Sequence, residues 1–277
     1  MSQHAILPAE PEMLSVLQRA IDAAGGWLGF DAFMALALYT PGLGYYASGS
    51  RKFGHMPQSG SDFVTAPELS PHFGRALARQ VAQALQATGA DEVWEFGAGS
   101  GALAGHIMAA LDAAGTPLRR YTIVDLSGSL RERQQTRLAA YGERVRWVQE
   151  LPASFSGVVL GNEVLDAMPV QLLARAGGVW HERGVVLHAG QLAWADRPSD
   201  LRPPLDVDGP HDYLTEVHAQ AEGFVRTLAD RLSAGAIFLI DYGFPEHEYY
   251  HPQRSTGTVM CHHAHEADAN PLAQVGL

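Results

Sequence analysis

The segment Glu95-Phe96-Gly97-Ala98-Gly99-Ser100-Gly101 closes an apolar run, Glu92–Phe96, and opens a helical pattern. Glycines at alternate positions let a strand turn sharply and let a ligand approach the backbone N–H groups at the positive end of a helix. Asp125 lies at the end of the next apolar run. A carboxylate at such a strand end can accept hydrogen bonds from both hydroxyls of a ribose. Glu95, Gly97, Ala98, Gly99, Gly101 and Asp125, with the adjoining Leu126 and Ser127, are therefore the candidate residues for a nucleoside-bearing cofactor. A second cluster, Gly161-Asn162-Glu163-Val164-Leu165-Asp166-Ala167-Met168-Pro169, follows a later apolar run. In doubly wound sheets the ligand sits beyond the carboxyl ends of the strands, so Asn162 and Glu163 are expected to reach it. If a helical turn follows, Glu163 and Asp166 share a face. Two carboxylates there can hold a guanidinium in a forked pair and leave one nitrogen lone pair free to attack a methyl group. The plainer alternative is that Asp166 caps a turn and Glu163 pairs with a nearby cation.

The glycine segment also satisfies a looser dinucleotide fingerprint, Gly97-x-Gly99-x-x-Ala102. Three details favour S-adenosylmethionine over a nicotinamide. An acid, Glu95, stands two residues before the first glycine; the strand begins only at residue 92, behind a helical segment; and no residue set suits hydride transfer.

The elements that must carry these residues can be read from periodicity. Residues 11–24 form a helical pattern with Leu14, Leu17 and Ile21 on one face. Asp31 is the expected N-cap of a second helix, with Phe33, Met34, Leu36 and Leu38 inside and Pro41 stopping it. Pro41 to Ser70 is rich in Gly, Pro and Ser and reads as a long irregular loop, a length that suits a lid over a site. Ser70-Pro71 starts a helix with Phe73, Leu77, Val81 and Leu85 inside and Gly89 at its end. Strands are then expected at Glu92–Phe96, Tyr121–Leu126, Val145–Glu150, Gly157–Gly161 and Ala236–Asp241, with helices at 102–114 and 129–140. Near-continuous apolar strands alternating with helices indicate a parallel sheet covered on both faces. Short runs punctuated by Gly177-Gly178, Arg183-Gly184 and Ala189-Gly190 predict a β-meander over 170–195. A helix with Val217, Ala221, Phe224, Val225, Leu228 and Leu232 on one stripe is expected next, with Gly235 at its exit. The fold class is thus α/β: a Rossmann-like sheet behind an N-terminal helical and lid segment (1–90), with a core (91–277) interrupted by a meander at 170–197.

Bulk properties exclude several classes. A chain of 277 residues with 47% hydrophobic and 18% charged residues is globular in composition. No apolar run approaches the ~20 residues that span a bilayer, and Met-Ser-Gln-His at the start has no signal-peptide character. A single cysteine, Cys261, suits a reducing, cytoplasmic setting. A net charge of −11 disfavours nonspecific nucleic-acid binding, which needs clustered Lys and Arg. Cys261-His262-His263-x-His265 holds metal-capable residues but lacks the second half of a structural zinc site, so no metal is expected.

Several compound motifs resemble those of the MidA-like methyltransferases, a family that includes a mitochondrial assembly factor methylating an arginine of a respiratory-complex core subunit. They are Gly44-Tyr45-Tyr46, Ser61-Asp62-Phe63-Val64-Thr65-Ala66-Pro67-Glu68-Leu69-Ser70, the Glu95–Gly101 loop, Asn162–Val170, Asp241-Tyr242-Gly243 and Gly257-Thr258-x3-His262. The resemblance runs from about Gly29 onward. It implies a class I methyltransferase fold, S-adenosylmethionine as cofactor and a protein bearing an exposed arginine as substrate. It also implies that Asp62, Glu68, Glu163 and Asp166 line the reacting centre. Ser61 departs from the family's glycine. The family continues beyond Pro271–Leu277, and its sheet is closed by an antiparallel pair that the stretch after Asp241 does not supply, which predicts a C-terminally truncated sheet. The rival expectations are a cofactor-binding assembly factor without turnover and a small-molecule methyltransferase.

Overall fold

The structure, a computed structural model of the chain, describes residues 11–47, 65–125, 128–263 and 266–276. Helix α1 (Pro11–Ala23) buries Met13, Leu17 and Ile21, four residues apart and so on one face. After the short strand β1 (Leu28–Gly29), α2 (Phe30–Tyr39) starts from Gly29. Asp31 is not its N-cap; it lies in the first turn, where a carboxylate suits the positive helix end. The stretch expected to be irregular up to Ser70 contains a helical turn, α3 (Ala66–Leu69); its lid portion at 48–64 lies outside the described residues. Helix α4 (Pro71–Thr88) is bounded as its sequence predicts. The Ser70 hydroxyl accepts a hydrogen bond from the His72 N–H at 3.1 Å, Pro71 takes the first position, and Gly89 closes the helix at φ 70°.

Next come β2 (Glu92–Phe96), α5 (Ala102–Ala113), β3 (Arg120–Val124), α6 (Gly128–Leu138), β4 (Val145–Val148) and β5 (Phe155–Asn162). They are followed by β6 (Gln171–Ala176), β7 (Val179–His188), β8 (Gln191–Pro198), β9 (Tyr213–Val217), α7 (Ala219–Arg231) and β10 (Leu232–Ile240). A short helix, α8 (Glu246–Tyr249), and an antiparallel ribbon of β11 (Cys261–His263) with β12 (Glu266–Asp268) come last.

Five of these strands form a parallel sheet in the order β10-β5-β2-β3-β4. Side chains alternate between its faces. Val93, Val158 and Leu160 join one core with Leu77, Val81, Ile107 and Leu111 of α4 and α5. Trp94 and Val159 join another with Phe155 and with Leu228 of α7. Burial on both faces is why these strands read as near-continuous apolar runs. Strand order reverses between β2 and β5, so the topological switch point lies there.

Contacts divide the chain into two units, one with segments in Met1–Ser50, Met168–Glu222 and Gly243–Leu277, the other in Arg51–Ala167 and Gly223–Tyr242. This differs from a linear division at residue 90. Helix α4 packs in the core of the parallel sheet, whereas α1 and α2 share a core with Val170, Leu172 and Val185. The predicted meander is present and larger than expected: β1, β7, β6 and β9 form one antiparallel sheet, with β8 added on β7.

Two boundaries are corrected. Val217 belongs to β9 and Leu232 to β10, so α7 is shorter at both ends than the apolar stripe suggested. Gly235 lies inside β10, not at a helix exit. A Cβ there would come within 1.8 Å of the Gly157 carbonyl oxygen, so close approach of β10 to β5 requires glycine.

Candidate functional site

At the carboxyl end of β2 the chain turns through Gly97, Gly99 and Gly101, at φ 63°, 51° and 81°. A side chain would be strained at each, by about 1–2 kcal/mol. Around Gly99 a Cβ would meet nothing within 4 Å, so that side of the loop is open. Gly101 heads α5 without a side-chain cap, which leaves no capping side chain on the helix's first N–H groups. Open space beside an uncapped helix start fits a ligand carrying a carboxylate and a ribose.

Glu95 is buried beneath this loop, and the Tyr121 hydroxyl donates to it at 2.7 Å. Burial pushes its carboxyl up to about 7, the Tyr121 hydrogen bond opposes the rise, and the charge of Asp125 adds to it. Asp125 stands just past β3, its N–H bonded to the Val148 carbonyl at 3.2 Å. The Gln134 amide donates to the Asp125 carboxylate at 2.8 Å. Leu126 and Ser127, expected beside it, lie outside the described residues.

Across the switch point, β5 ends at Asn162 and the chain turns into the acidic cluster. Glu163 adopts φ 52°, a left-handed conformation in which a non-glycine residue is uncommon. Its N–H is held by the Ile240 carbonyl at 2.8 Å. One oxygen of Asp241, at the end of β10, accepts the N–H groups of Leu165 (3.0 Å) and Asp166 (3.2 Å). The Tyr242 hydroxyl donates to Asp166. The turn is therefore fixed by β10 on one side, while Val164 fixes it on the other. A Cβ on Gly97 would lie 3.0 Å from Val164 Cγ2, so the two loops touch.

The carboxyls of Glu163 and Asp166 are both held above the usual range. For Glu163 desolvation leads and the Asp166 charge adds to it; a hydrogen bond from Asn162 at 3.4 Å opposes, and Asp241 raises it further. Asp166 is exposed as a residue; partial desolvation raises its carboxyl, Tyr242 opposes, and Asp241 adds to the rise. Three acids converging on one turn favour a cation among them.

Sequence reasoning missed Asp241 as a functional position, although it stands at a strand's carboxyl end, the same signal that marked Asp125. Glu68 sits elsewhere in this unit. It is buried on α3, accepts from the Ser100 hydroxyl of the glycine loop, and pairs with Arg137 at 3.5 Å. A cavity of about 380 Å³ opens beside it, lined also by Leu69, Ala102 and His106. Asp62 lies outside the described residues. Cys261–His263 form β11, and no group of three or more His, Cys, Asp or Glu is arranged for a metal among the described residues.

A parallel sheet of this order, with a glycine loop at its switch point and an acid at the end of the neighbouring strand, defines a class I methyltransferase fold. A family model for S-adenosyl-L-methionine-dependent methyltransferases matches residues 76–277, and the chain belongs to that family, the MidA-like methyltransferases. Its cofactor is S-adenosylmethionine, and the open glycine loop with Asp125 fits that ligand. A Burkholderia thailandensis superfamily member, crystallised with S-adenosyl-homocysteine, is 49% identical with a TM-score of 0.90, covering 99% of this chain and 75% of that one. The mitochondrial protein arginine methyltransferase NDUFAF7 of Danio rerio is 27% identical over 256 residues, and its Caenorhabditis elegans homologue 26% over 244. The matches cover 79% and 76% of this chain but only 59% and 57% of those relatives.

Proposed function

We propose that the chain transfers a methyl group from S-adenosylmethionine to an arginine side chain of a partner protein. The observation that carries this reading is the turn after β5. There Glu163 and Asp166, braced by Asp241, stand against the cofactor loop through the contact of Val164 with Gly97. The bound cofactor supplies an electrophilic methyl on a sulfonium. Glu163 and Asp166 hold the guanidinium and localise its charge on the nitrogens not being methylated. As the new C–N bond forms, the methyl–sulfur bond would break with its electron pair left on the cofactor's sulfur as a neutral thioether, and the attacking nitrogen would shed a proton. Glu163, whose carboxyl already favours the protonated form more than an ordinary glutamate, accepts it. Two relatives named as protein arginine methyltransferases support the same substrate class.

Incubating the protein and labelled cofactor with a cell extract, followed by mass spectrometry, tests the reading. The expected outcome is methylarginine on one or a few proteins, lost with Glu163→Gln. Label confined to small molecules, or to other side chains, overturns it.

A further inference from the structure

Gln134 sits in the middle of α6, in the polar run Arg131-Glu132-Arg133-Gln134-Gln135, yet it is fully buried. A buried amide must place two N–H donors and a carbonyl acceptor. Here all three are engaged. Nε2 donates to the Gly99 carbonyl at 2.9 Å and to Asp125 Oδ2 at 2.8 Å, and Oε1 accepts from the Trp147 indole N–H at 2.9 Å. With two acceptors on one side and a donor on the other, only one orientation of the amide satisfies its neighbours.

These three partners come from three separate places: the glycine loop after β2, the acid after β3, and strand β4. Gln134 also backs the loop directly, since a Cβ on Gly101 would meet Gln134 Cα at 3.4 Å. The first two partners are the two halves of the cofactor site, the backbone cradle and the ribose acid. A lysine or arginine here would add a positive charge beside Asp125, whereas an amide bonds it without adding charge.

We propose that Gln134 is a positioning residue of the cofactor site, tying Asp125 to the glycine loop so that both meet the ligand in one fixed arrangement. The proposal rests on the cofactor and is independent of the methyl acceptor.

Calorimetric titration of the full chain with S-adenosyl-homocysteine tests it. Gln134→Met keeps the side-chain length and removes all three bonds; Gln134→Glu keeps the acceptor for Trp147 and removes both donated bonds. Each is expected to weaken binding about ten- to a hundredfold, the range for hydrogen bonds involving a charged group, at temperatures where circular dichroism shows a folded chain. Combining Gln134→Met with Asp125→Ala should weaken binding by clearly less than the product of the two single effects, because the residues act as a pair. Wild-type affinity in a folded Gln134→Met, or effects that multiply in full, overturns the proposal. Should both single variants fail to fold, the wild type decides. The Gln134 amide and Trp147 indole N–H resonances must shift on adding the ligand, and their constancy overturns the proposal.

Discussion

The loops after β2 and β5 touch, yet they are built on opposite principles. The first is backbone: three glycines in conformations that side chains resist, with open space beside the middle one, Gly99. The second is side chain: carboxyls crowded until their acidity falls, on a backbone that places a glutamate where glycine would be at ease. A loop with glycine at alternate positions can present N–H groups to a ligand that is the same in every catalytic cycle. A turn of crowded acids, one of them at φ 52°, favours a cation among them. The contrast places a non-glycine residue in a left-handed conformation at the acidic turn, the proposed substrate side, and glycines at the proposed cofactor side.

The largest test of this contrast is chemical. Glu163→Gln should lower turnover of the proposed arginine substrate by about a hundred- to ten-thousandfold, the range for losing a proton acceptor. Affinity for S-adenosyl-homocysteine should stay within about twofold, since only the side-chain loop is altered. If both fall together, the loops are not separable. Single-turnover kinetics alongside calorimetry distinguishes these outcomes.

Next in size is a pH effect at the base of the glycine loop. The Glu95 carboxyl is raised from 4.5 to about 7. A raised pKa means that the fold prefers the protonated form. Glu95 therefore contributes most to stability below pH 4.5 and loses that contribution as pH rises through about 7. The difference amounts to about 3 kcal/mol at 1.36 kcal/mol per unit. Glu95→Gln can still accept from Tyr121, so its melting temperature should fall less than the wild type's between pH 5 and pH 8 (a range of about three units, chosen to bracket the titration). Parallel melting curves for the two proteins would count against a buried, titrating Glu95.

Asp125→Ala comes third and reverses the first test. Cofactor binding should weaken by about 1.5–3 kcal/mol, the scale of charged hydrogen bonds, with the acidity of the Glu163 turn unaltered. Preferential binding of a dinucleotide, or no loss in the variant, would remove Asp125 from the cofactor site.

The unequal legibility of the two loops in the sequence follows from the same contrast. Glycines at alternate positions mark a turn whose conformations exclude other residues, so Gly97, Gly99 and Gly101 could be read directly. The strands beside them were legible because burial on both faces leaves unbroken apolar runs such as Val158–Leu160. Glu163 and Asp166 stood out as acids at a strand end. The brace from Asp241 is a tertiary contact across 75 residues of sequence that no spacing reveals. Gln134 was hidden for a different reason: its neighbours are charged, and a polar residue in a polar helix reads as surface. Gly257-Thr258 carried a family signature without a role. Thr258 N–H and Val259 N–H bind Glu216 of β9 at 2.7 and 3.0 Å, and a Cβ on Gly257 would meet that carboxylate at 2.5 Å. Val217 misled because an apolar residue at a strand's end can also continue a helical stripe.

The smallest effect is on stability, and it should change sign between the loops. Gly97→Ala places a Cβ at φ 63° and within 3.0 Å of Val164, so it should destabilise the chain by about 1–2 kcal/mol from conformation, with the contact adding to this. Glu163→Gly does the reverse. It releases a side chain held at φ 52° and removes one of the mutually repelling acids. Glycine also gives the unfolded chain more freedom, which offsets part of the gain. A net stabilisation of about 1 kcal/mol is expected from these opposing conformational terms, together with loss of turnover on the proposed arginine substrate. Chemical denaturation of the two variants beside the wild type measures both signs. If Glu163→Gly is destabilised as much as Gly97→Ala, the acidic turn holds no strain, and substrate capture must draw its specificity from charge alone.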